Sequence, residues 1–505
     1  MATVGRGSTL VRAIVIAGGL VMATGTLTGV AAAQGSPTLT LEQAIDEALV
    51  RNDRLVNQRD VAEQAALSLR LARSGFRPRI TPQVYGSLLR SDFSSQTYRV
   101  DVSQKLETGT ELRLRMGTQS SLIPSDPQGL GNDVLFYNAD TTVSVSQPLL
   151  RGFGRSVARR AITWAELQGA DAARQQRLLE QQVAVEVATA YYTIVAQRAM
   201  VDAATQSLAR ARTLAEASAA KLQAGLVSQL DVLRAQQLVA QADLQVLDAR
   251  AAVDDARERL ALLMGRSDAT GIDVTPIIPP PAAEPVDQDA ATAIALANRA
   301  DLQMRRAASA DAGERVRFAR NQLLPQVDVN MSLTRQTTSP TLAGSFGLDG
   351  YRFVTFFAIG MPVDRTADQV EHALARLDEE RRIREVALLE RQIADDVRRA
   401  IRERERLARV VTSTETSVEL SRKELEVAQL RFRTGLSNNL DVITAEGGLL
   451  LAESRRIQAL ADAAVGQLRL QALLGVLDNR ADGRAGVTPV ATGLARCAAP
   501  LCGGR

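Results

Sequence analysis

The chain has 505 residues, with 60 Lys+Arg against 57 Asp+Glu, 46% apolar and 23% charged side chains, a near-neutral composition that excludes a disordered chain. A single histidine, His372, excludes a two-histidine metal site and most histidine acid–base chemistry. Aromatics are only 3% (ten Phe, six Tyr, one Trp), too few for an ordinary large globular core, so their placement carries information.

In 1–33, Arg6 and Arg12 precede an apolar run from Ala13 to Val30 and then Ala31-Ala32-Ala33. That order of charged, apolar and small-residue regions predicts a signal peptide cleaved near Ala33 and Gln34. The competing reading is a membrane anchor, but Gly and Thr interrupt the run and it is short for a span of about 20 residues. Next comes a first helical segment, after which the period falls from 3.6 to 2. Leu112, Leu114 and Met116 alternate with Glu111, Arg113 and Arg115, and Val143 and Val145 with Thr142, Ser144 and Ser146. These are strands with one apolar and one polar face, expected within about 79–150. From 149 to 275 there is no proline, and Leu179, Val183, Val187, Ala190 and Ile194 recur at helical spacing. A helix from Arg155 to Gln223 would run roughly 100 Å, too long for a compact domain, so it must pack along other long helices.

Ala224-Gly225-Leu226 ends that helix. Gly225 suits a helix C-terminal position with positive φ, and Ser228-x-x-Asp231 resembles the N-cap of a return helix. Along the return helix Leu230, Leu233, Ala240, Leu244, Leu247 and Ala251 follow the seven-residue pattern of a coiled-coil seam. A Pro-rich linker, 271–290, follows with Pro276, Pro279, Pro280, Pro281 and Pro285.

The order then repeats. Residues 221–265 align without a gap on 431–475, with identities at Gly225/Gly435, Leu226/Leu436, Leu230/Leu440 and Asp231/Asp441. Upstream, Ala48, Leu49, Leu55, Ala72, Arg73 and Pro78 correspond to Ala295, Leu296, Leu302, Ala319, Arg320 and Pro325. The chain is therefore a duplication, with a first repeat over 34–270 and a second over 291–477. In the second, strands are expected within about 325–362. Tyr351, Phe353, Thr355, Phe357 and Ile359 share one strand face, and Asn438 takes the N-cap place of Ser228. A flexible tail, 478–505, holds Cys497 and Cys502, which are either a disulfide in an exported protein or two incidental thiols.

Thirteen of the seventeen aromatics fall in 76–153 and 318–357, the two strand windows. Alternating, aromatic-bearing strands in an exported chain suggest a membrane β-barrel, apolar outside and polar inside. The windows offer about four to six strands, fewer than the roughly eight that close a barrel, so several chains must contribute. The alternative is a soluble β-subdomain beside a coiled coil. Pro78 to Pro148 is far longer than Pro325 to Pro362, and the surplus holds an extra hairpin around 97–118, Tyr98–Gln104 and Thr110–Thr118. It is an extracellular extension, a lengthening of barrel strands, or a pair of additional strands.

The segment Leu39-Thr-Leu-Glu-Gln-Ala-Ile-Asp-Glu-Ala-Leu-Val-Arg-Asn, then Gln147-Pro-Leu-Leu-Arg-Gly, then the paired Gly-Leu…Leu-Asp-Val segments resemble the TolC-like outer-membrane efflux proteins over roughly 38–477. The resulting fold class is mainly α with membrane β, a duplicated unit of long coiled-coil helices plus strands given to a shared trimeric β-barrel. The resemblance implies four strands per protomer in a 12-stranded barrel, and a periplasmic tunnel of long helices. It implies a passive exit duct of a tripartite efflux or type I secretion system, located in the outer membrane and spanning into the periplasm. Implied partners are two further copies in a homotrimer, a periplasmic adaptor (membrane fusion) protein, an inner-membrane pump or ABC transporter, and outer-membrane lipid. Gly225, Leu226, Gly435 and Leu436 match adaptor-docking reversals, and Asp231 and Asp441 match acids near the closed entrance. Those two acids form an entrance ring or support their own helix N-termini. Ser437 and Thr444 stand where a basic and a second acidic residue can occur, so a two-acid gate is not carried over.

No catalytic residue, cofactor or metal site is expected. Gly152-Phe-Gly154 lacks the third glycine of a dinucleotide loop, and no basic patch with interleaved aromatics suggests nucleic acid. Among non-enzymes, the alternative to a duct is a periplasmic coiled-coil adaptor or a structural protein of a transport complex. An adaptor would carry one hairpin between soluble β domains.

Overall fold

The computed structural model describes residues 38–86, 96–123, 134–281, 285–345 and 350–477. The expected signal peptide and the tail with Cys497 and Cys502 lie outside them. The first repeat contains α1 (Leu41–Arg51), α2 (Asp53–Ser74), β1 (Arg79–Gly86), β2 (Gln96–Lys105), β3 (Glu111–Ile123), β4 (Val134–Pro148), α3 (Arg155–Ala158), α4 (Arg160–Gln223) and α5 (Gln229–Leu263). The second contains α6 (Gln288–Asn298), α7 (Ala300–Gln322), β5 (Gln326–Ser339), α8 (Leu342–Ser345), β6 (Arg352–Gly360), α9 (Thr366–Thr434) and α10 (Asn439–Leu473). The first long helix is broken at Arg159, whereas α9 runs unbroken for 69 residues, roughly 100 Å.

In each repeat the long helix is flanked by two shorter helices that meet end to end, α5 with α2 against α4, and α10 with α7 against α9. The joint is a specific piece of chemistry. Gly265 ends the α5 segment at φ +69°, with Gly265 N–H donating to the Leu262 carbonyl (3.1 Å) and Arg266 N–H to the Ala261 carbonyl (2.9 Å). This Schellman closure turns the chain under α1–α2, where Asn52 caps α2 (from Arg54 N–H, 3.0 Å) and donates its amide to the Leu263 carbonyl (2.8 Å). Arg266 clasps Glu47 of α1 with two bonds, Nε–Oε1 at 2.8 Å and Nη2–Oε2 at 2.5 Å. That guanidinium holds the Glu47 carboxyl below the usual carboxylate range. Gly475 repeats the closure in the second repeat, against Asn298 and Arg299.

The largest core lies at this level. Ile45, Leu49, Leu55, Val183, Val187, Ile194, Leu260, Met264 and Leu468 converge with Tyr191 and Tyr192, whose rings meet edge to face at 5.7 Å. Burial raises both phenols, Tyr192 to about 12. The Pro-rich connection begins as part of this core: Ile272 and Val274 are buried, Leu39 bridges Val274 in parallel, and Tyr191 Oη donates to the Leu39 carbonyl at 3.0 Å. Its other end is already helical from Gln288.

All six strands form one antiparallel sheet in the order β1-β2-β3-β4-β5-β6. The resemblance implied four. The register keeps the faces apart across the whole sheet. Ile80, Val84, Val100, Val102, Leu112, Leu114, Met116, Val143, Val145, Met331, Leu333, Phe353 and Phe357 fall on one face by their pairing. Arg99, Asp101, Arg113, Arg115, Asp140, Thr142, Ser332 and Thr334 fall on the other. Strands β4 and β6 carry apolar residues on both sides, β4 with Phe136 and β6 with Val354 and Phe356 on the polar face. No helix among the described residues is long and apolar enough to cross a membrane.

Alanine at Gly265 must hold a positive φ and place a Cβ 2.5 Å from the Arg51 carbonyl oxygen, whereas at Gly225 (φ +71°) the space is open. Gly225→Ala is expected to cost about 1 kcal/mol and Gly265→Ala at least about twice that. Thermal unfolding of the two purified variants checks the order.

Candidate functional site

The end of the molecule farthest from the sheet is built by two helix reversals. In both, glycine takes a left-handed conformation and the following leucine closes a Schellman bond. Leu226 N–H donates to the Lys221 carbonyl (2.9 Å) and Leu436 N–H to the Arg431 carbonyl (2.8 Å). Both leucine side chains are left bare, 72% and 79% exposed. Beneath them Leu214, Ala235, Leu425, Ala428, Phe432, Val442 and Ala445 from α4, α5, α9 and α10 form one small core.

The two acids that the duplication equates sit differently. Ser228 and Asp231 form a complete capping box. The Asp231 carboxylate accepts from Ser228 N–H (3.1 Å) and Oγ–H (2.7 Å), while Ser228 Oγ accepts from Asp231 N–H. In the second repeat the Asn438 Oδ1 takes Leu440 N–H (3.1 Å) and Asp441 N–H (3.4 Å) by itself. The Asp441 side chain stays exposed and makes no ion pair among the described residues. Asn438 has no hydroxyl to donate to the acid three residues on, and no bond from Asn438 to the Asp441 carboxylate occurs among the described residues.

Three contacts that the sequence did not single out tie the two reversals together. The Lys221 ammonium donates to the Phe432 carbonyl and lies 4.0 Å from the centre of the Phe432 ring. Asn439, fully buried, donates to the Asp231 carbonyl. Arg210 of α4 grips Glu446 of α10 through Nε at 2.7 and 3.0 Å, on a cavity of about 310 Å³ between the four helices. The Glu446 side chain is only 3% exposed, and the Arg210 guanidinium is its ion-pair partner. For this last contact the duplication held a signal. Glu446 aligns with the neutral Gln236, and a position where two repeats differ in charge is where they can divide roles. Lys221 gave no such signal, because it aligns with another cation, Arg431.

At the other end of the molecule Tyr351 lies just before β6, and Phe353 and Phe357 project from its apolar face, each 67% exposed. Ile80, Val84, Val100, Met116, Val143, Met331 and Leu333 on that face are exposed as well, whereas Thr118, Ser120, Ala139 and Arg335 farther along it are buried. The helical seam anticipated on α5 behaves alike. Ala235, Ala242, Val246, Val253, Ala256, Leu260 and Ala261 are the residues buried on α5, while Leu230, Leu233, Leu244 and Leu247 face away. The anticipated seam is therefore a bare apolar stripe on α5, turned away from α4. No group of three or more potential metal ligands occurs among the described residues.

Residues 44–266 and 292–476, one block per repeat, match the family described as outer membrane efflux protein. The chain belongs to that family. Its solved relatives share the fold at low identity. The outer-membrane channel OprN superposes with a TM-score of 0.66 at 18% identity, over 86% of this chain and 89% of that one. VceC of Vibrio cholerae gives 0.66 at 17%, over 86% and 96%, and the open state of MtrE of Neisseria gonorrhoeae gives 0.61 at 20%, over 86% and 89%. A fusaric acid resistance protein, FusA of Burkholderia cepacia, is 31% identical over 136 residues, 27% of this chain and a quarter of that protein. Two hairpins and a sheet with a bare apolar face also leave no place for the adaptor alternative, which needs one hairpin between soluble β domains. The family is one of channels, not of enzymes.

Removing Arg210 leaves the buried Glu446 carboxylate without its partner. Arg210→Met is expected to destabilise the tip by about 3 kcal/mol, while Arg210→Met with Glu446→Leu is near neutral. Hydrogen exchange of the 425–452 segment, compared across the three proteins, checks this.

Proposed function

We propose that the chain is one third of a passive exit duct, a homotrimer that crosses the outer membrane through a shared β-barrel and reaches through the periplasm as a helical tunnel. The observation that carries it is a coincidence of unsatisfied surfaces on the same two flanks. β1 and β6 are sheet edges, and the helices that continue from them, α2 with α5 on one side and α9 on the other, are the outermost helices of the layer. On the first flank stand Leu230, Leu233, Leu244 and Leu247, and on the second Leu420, Val427 and Leu430. A copy rotated about an axis along the helices pairs edge with edge and seam with seam at once, and closed rotation leaves no edge in lipid.

In that assembly the apolar sheet face meets outer-membrane lipid and the charged face lines a water-filled lumen. The exposed Leu226 and Leu436 reversals form the periplasmic tip, the docking place for a periplasmic adaptor that joins the duct to an inner-membrane pump or ABC transporter. Energy comes from that pump, since the duct holds no machinery to supply it. The similarity to FusA, a fusaric acid resistance protein, supports small-molecule efflux over protein secretion. Asp441, free of capping, is the acid that threefold symmetry turns into an entrance ring, while Asp231 is held by Ser228.

Outer-membrane fractionation followed by electrophoresis in mild detergent, with and without heating, tests the assembly. A trimer that heat converts to monomer in the outer-membrane fraction is expected, and a monomer in the soluble periplasm would overturn the reading. Leu233→Asp with Leu244→Asp should abolish the trimer band while leaving the helical circular-dichroism signal of the protomer. Asp441→Lys should lower cation preference and block by divalent cations in planar bilayers, whereas unchanged conductance would return Asp441 to a purely local role.

A further inference from the structure

The geometry points to an 18-stranded outer-membrane barrel, six strands from each protomer, in which the β2–β3 hairpin is a full-height piece of wall inserted between β1 and β4. This rests on the trimeric duct proposed above.

Four observations place the hairpin in the wall. The ladders are continuous on both sides of it: Arg79 to Gly86 pair without a gap from Ser103 to Gln96, and Glu111 to Ile123 from Ser146 to Val134. Without β2 and β3, β1 has no partner in the sheet. The division of faces also passes through the hairpin in phase, with Val100, Val102, Leu112, Leu114 and Met116 outward and Arg99, Asp101, Arg113 and Arg115 inward. Strands of 10 and 13 residues are long enough to span, since a tilted membrane strand needs about 9–11.

The turn between the strands then fixes their height. Glu107 forms ion pairs with Arg155 (3.0 Å) and Arg159 (3.7 Å), at the start of the long helix. Gly154 N–H reaches the Thr108 carbonyl (3.4 Å), and Gly109 packs against the Gly152 carbonyl and Pro148. An extracellular extension would end far from this junction of barrel and helices. The hairpin instead starts from it, so of the three sequence expectations the structure supports additional strands.

The inward face is built for water. Asp101 Oδ1 accepts from Arg115 Nε at 3.0 Å across the hairpin. At Gly117 a Cβ would lie 3.1 Å from Asp140 Oδ1 and 3.5 Å from Arg99 Nε, so the missing side chain lets Arg99 and Asp140 approach over the strand between them. With strands about 4.8 Å apart and tilted about 40°, 18 strands enclose a backbone cylinder roughly 36 Å across, against roughly 24 Å for 12. The outer-membrane stage is thus about twofold larger in cross-section than the family resemblance implies, with a charged lining contributed mainly by the inserted hairpin.

Two measurements test it, both on the full-length chain. Electron cryomicroscopy of the wild-type trimer in lipid nanodiscs counts the strands directly: 18 is expected, and 12 with the hairpin outside the wall overturns the proposal. In a Cys497→Ser, Cys502→Ser background, Thr81→Cys with Asp101→Cys and, separately, Arg115→Cys with Thr142→Cys join directly opposed residues on the lumen face. Both pairs should oxidise to intramolecular cross-links in outer membranes; failure of both in protein that still runs as a heat-dissociable trimer overturns the six-stranded wall and leaves the duct intact. Absence of the trimer in the unsubstituted protein would instead overturn the duct reading.

Discussion

A backbone N–H or C=O without a partner is tolerable in water and costs several kcal/mol in hydrocarbon. The sheet satisfies these groups along five ladders and leaves two edges, β1 and β6, facing opposite ways. Everything else in the molecule is consistent with that one constraint. The helices that continue from the two edges are the ones that carry exposed leucines, so in the proposed trimer closure of the strands and closure of the helices would be the same operation. A duplicated chain reaches this end simply, because each repeat supplies strands at one end and a helical hairpin at the other.

The duplication also shows how two equal repeats acquire unequal parts. Both tips use a left-handed glycine, a Schellman bond and an exposed leucine, yet Ser228 and Asn438 cap their helices by different means and so bind or release the following aspartate. Glu446 is an acid where the first repeat has the neutral Gln236, and together with Lys221 it joins one repeat to the other. The two tips of one chain are therefore chemically different despite their common origin.

Much of this was legible in the chain. Proline-free stretches, the switch from period 3.6 to period 2, the glycine punctuation and the clustering of aromatics each report a local preference, and local preferences survive into the fold. Three of the four aromatics outside the strand windows are informative as well: Tyr191 and Tyr192 mark the main core and Phe432 the tip. Less legible were the break at Arg159, the Pro-rich segment that is packed through Ile272 and Val274, and the contacts of Lys221, Asn439 and Arg210. These depend on residues far apart in the chain meeting in space, which no periodicity encodes.

The sequence by itself determined which segments are helix and strand, which face of each strand is apolar, and where the two hairpins reverse, because those follow from side-chain period and from glycine's freedom of φ. Only the tertiary structure decided that the leucine seam of α5 looks away from its own α4, that Asp231 is held while Asp441 is exposed, and that the surplus hairpin is two more strands of the sheet. A seam can face inward or outward with the same heptads, and a hairpin can lie in the wall or above it with the same alternation. The choice is made by register and by where the turn lands, here by Glu107 meeting Arg155 and Arg159 at the foot of the long helix.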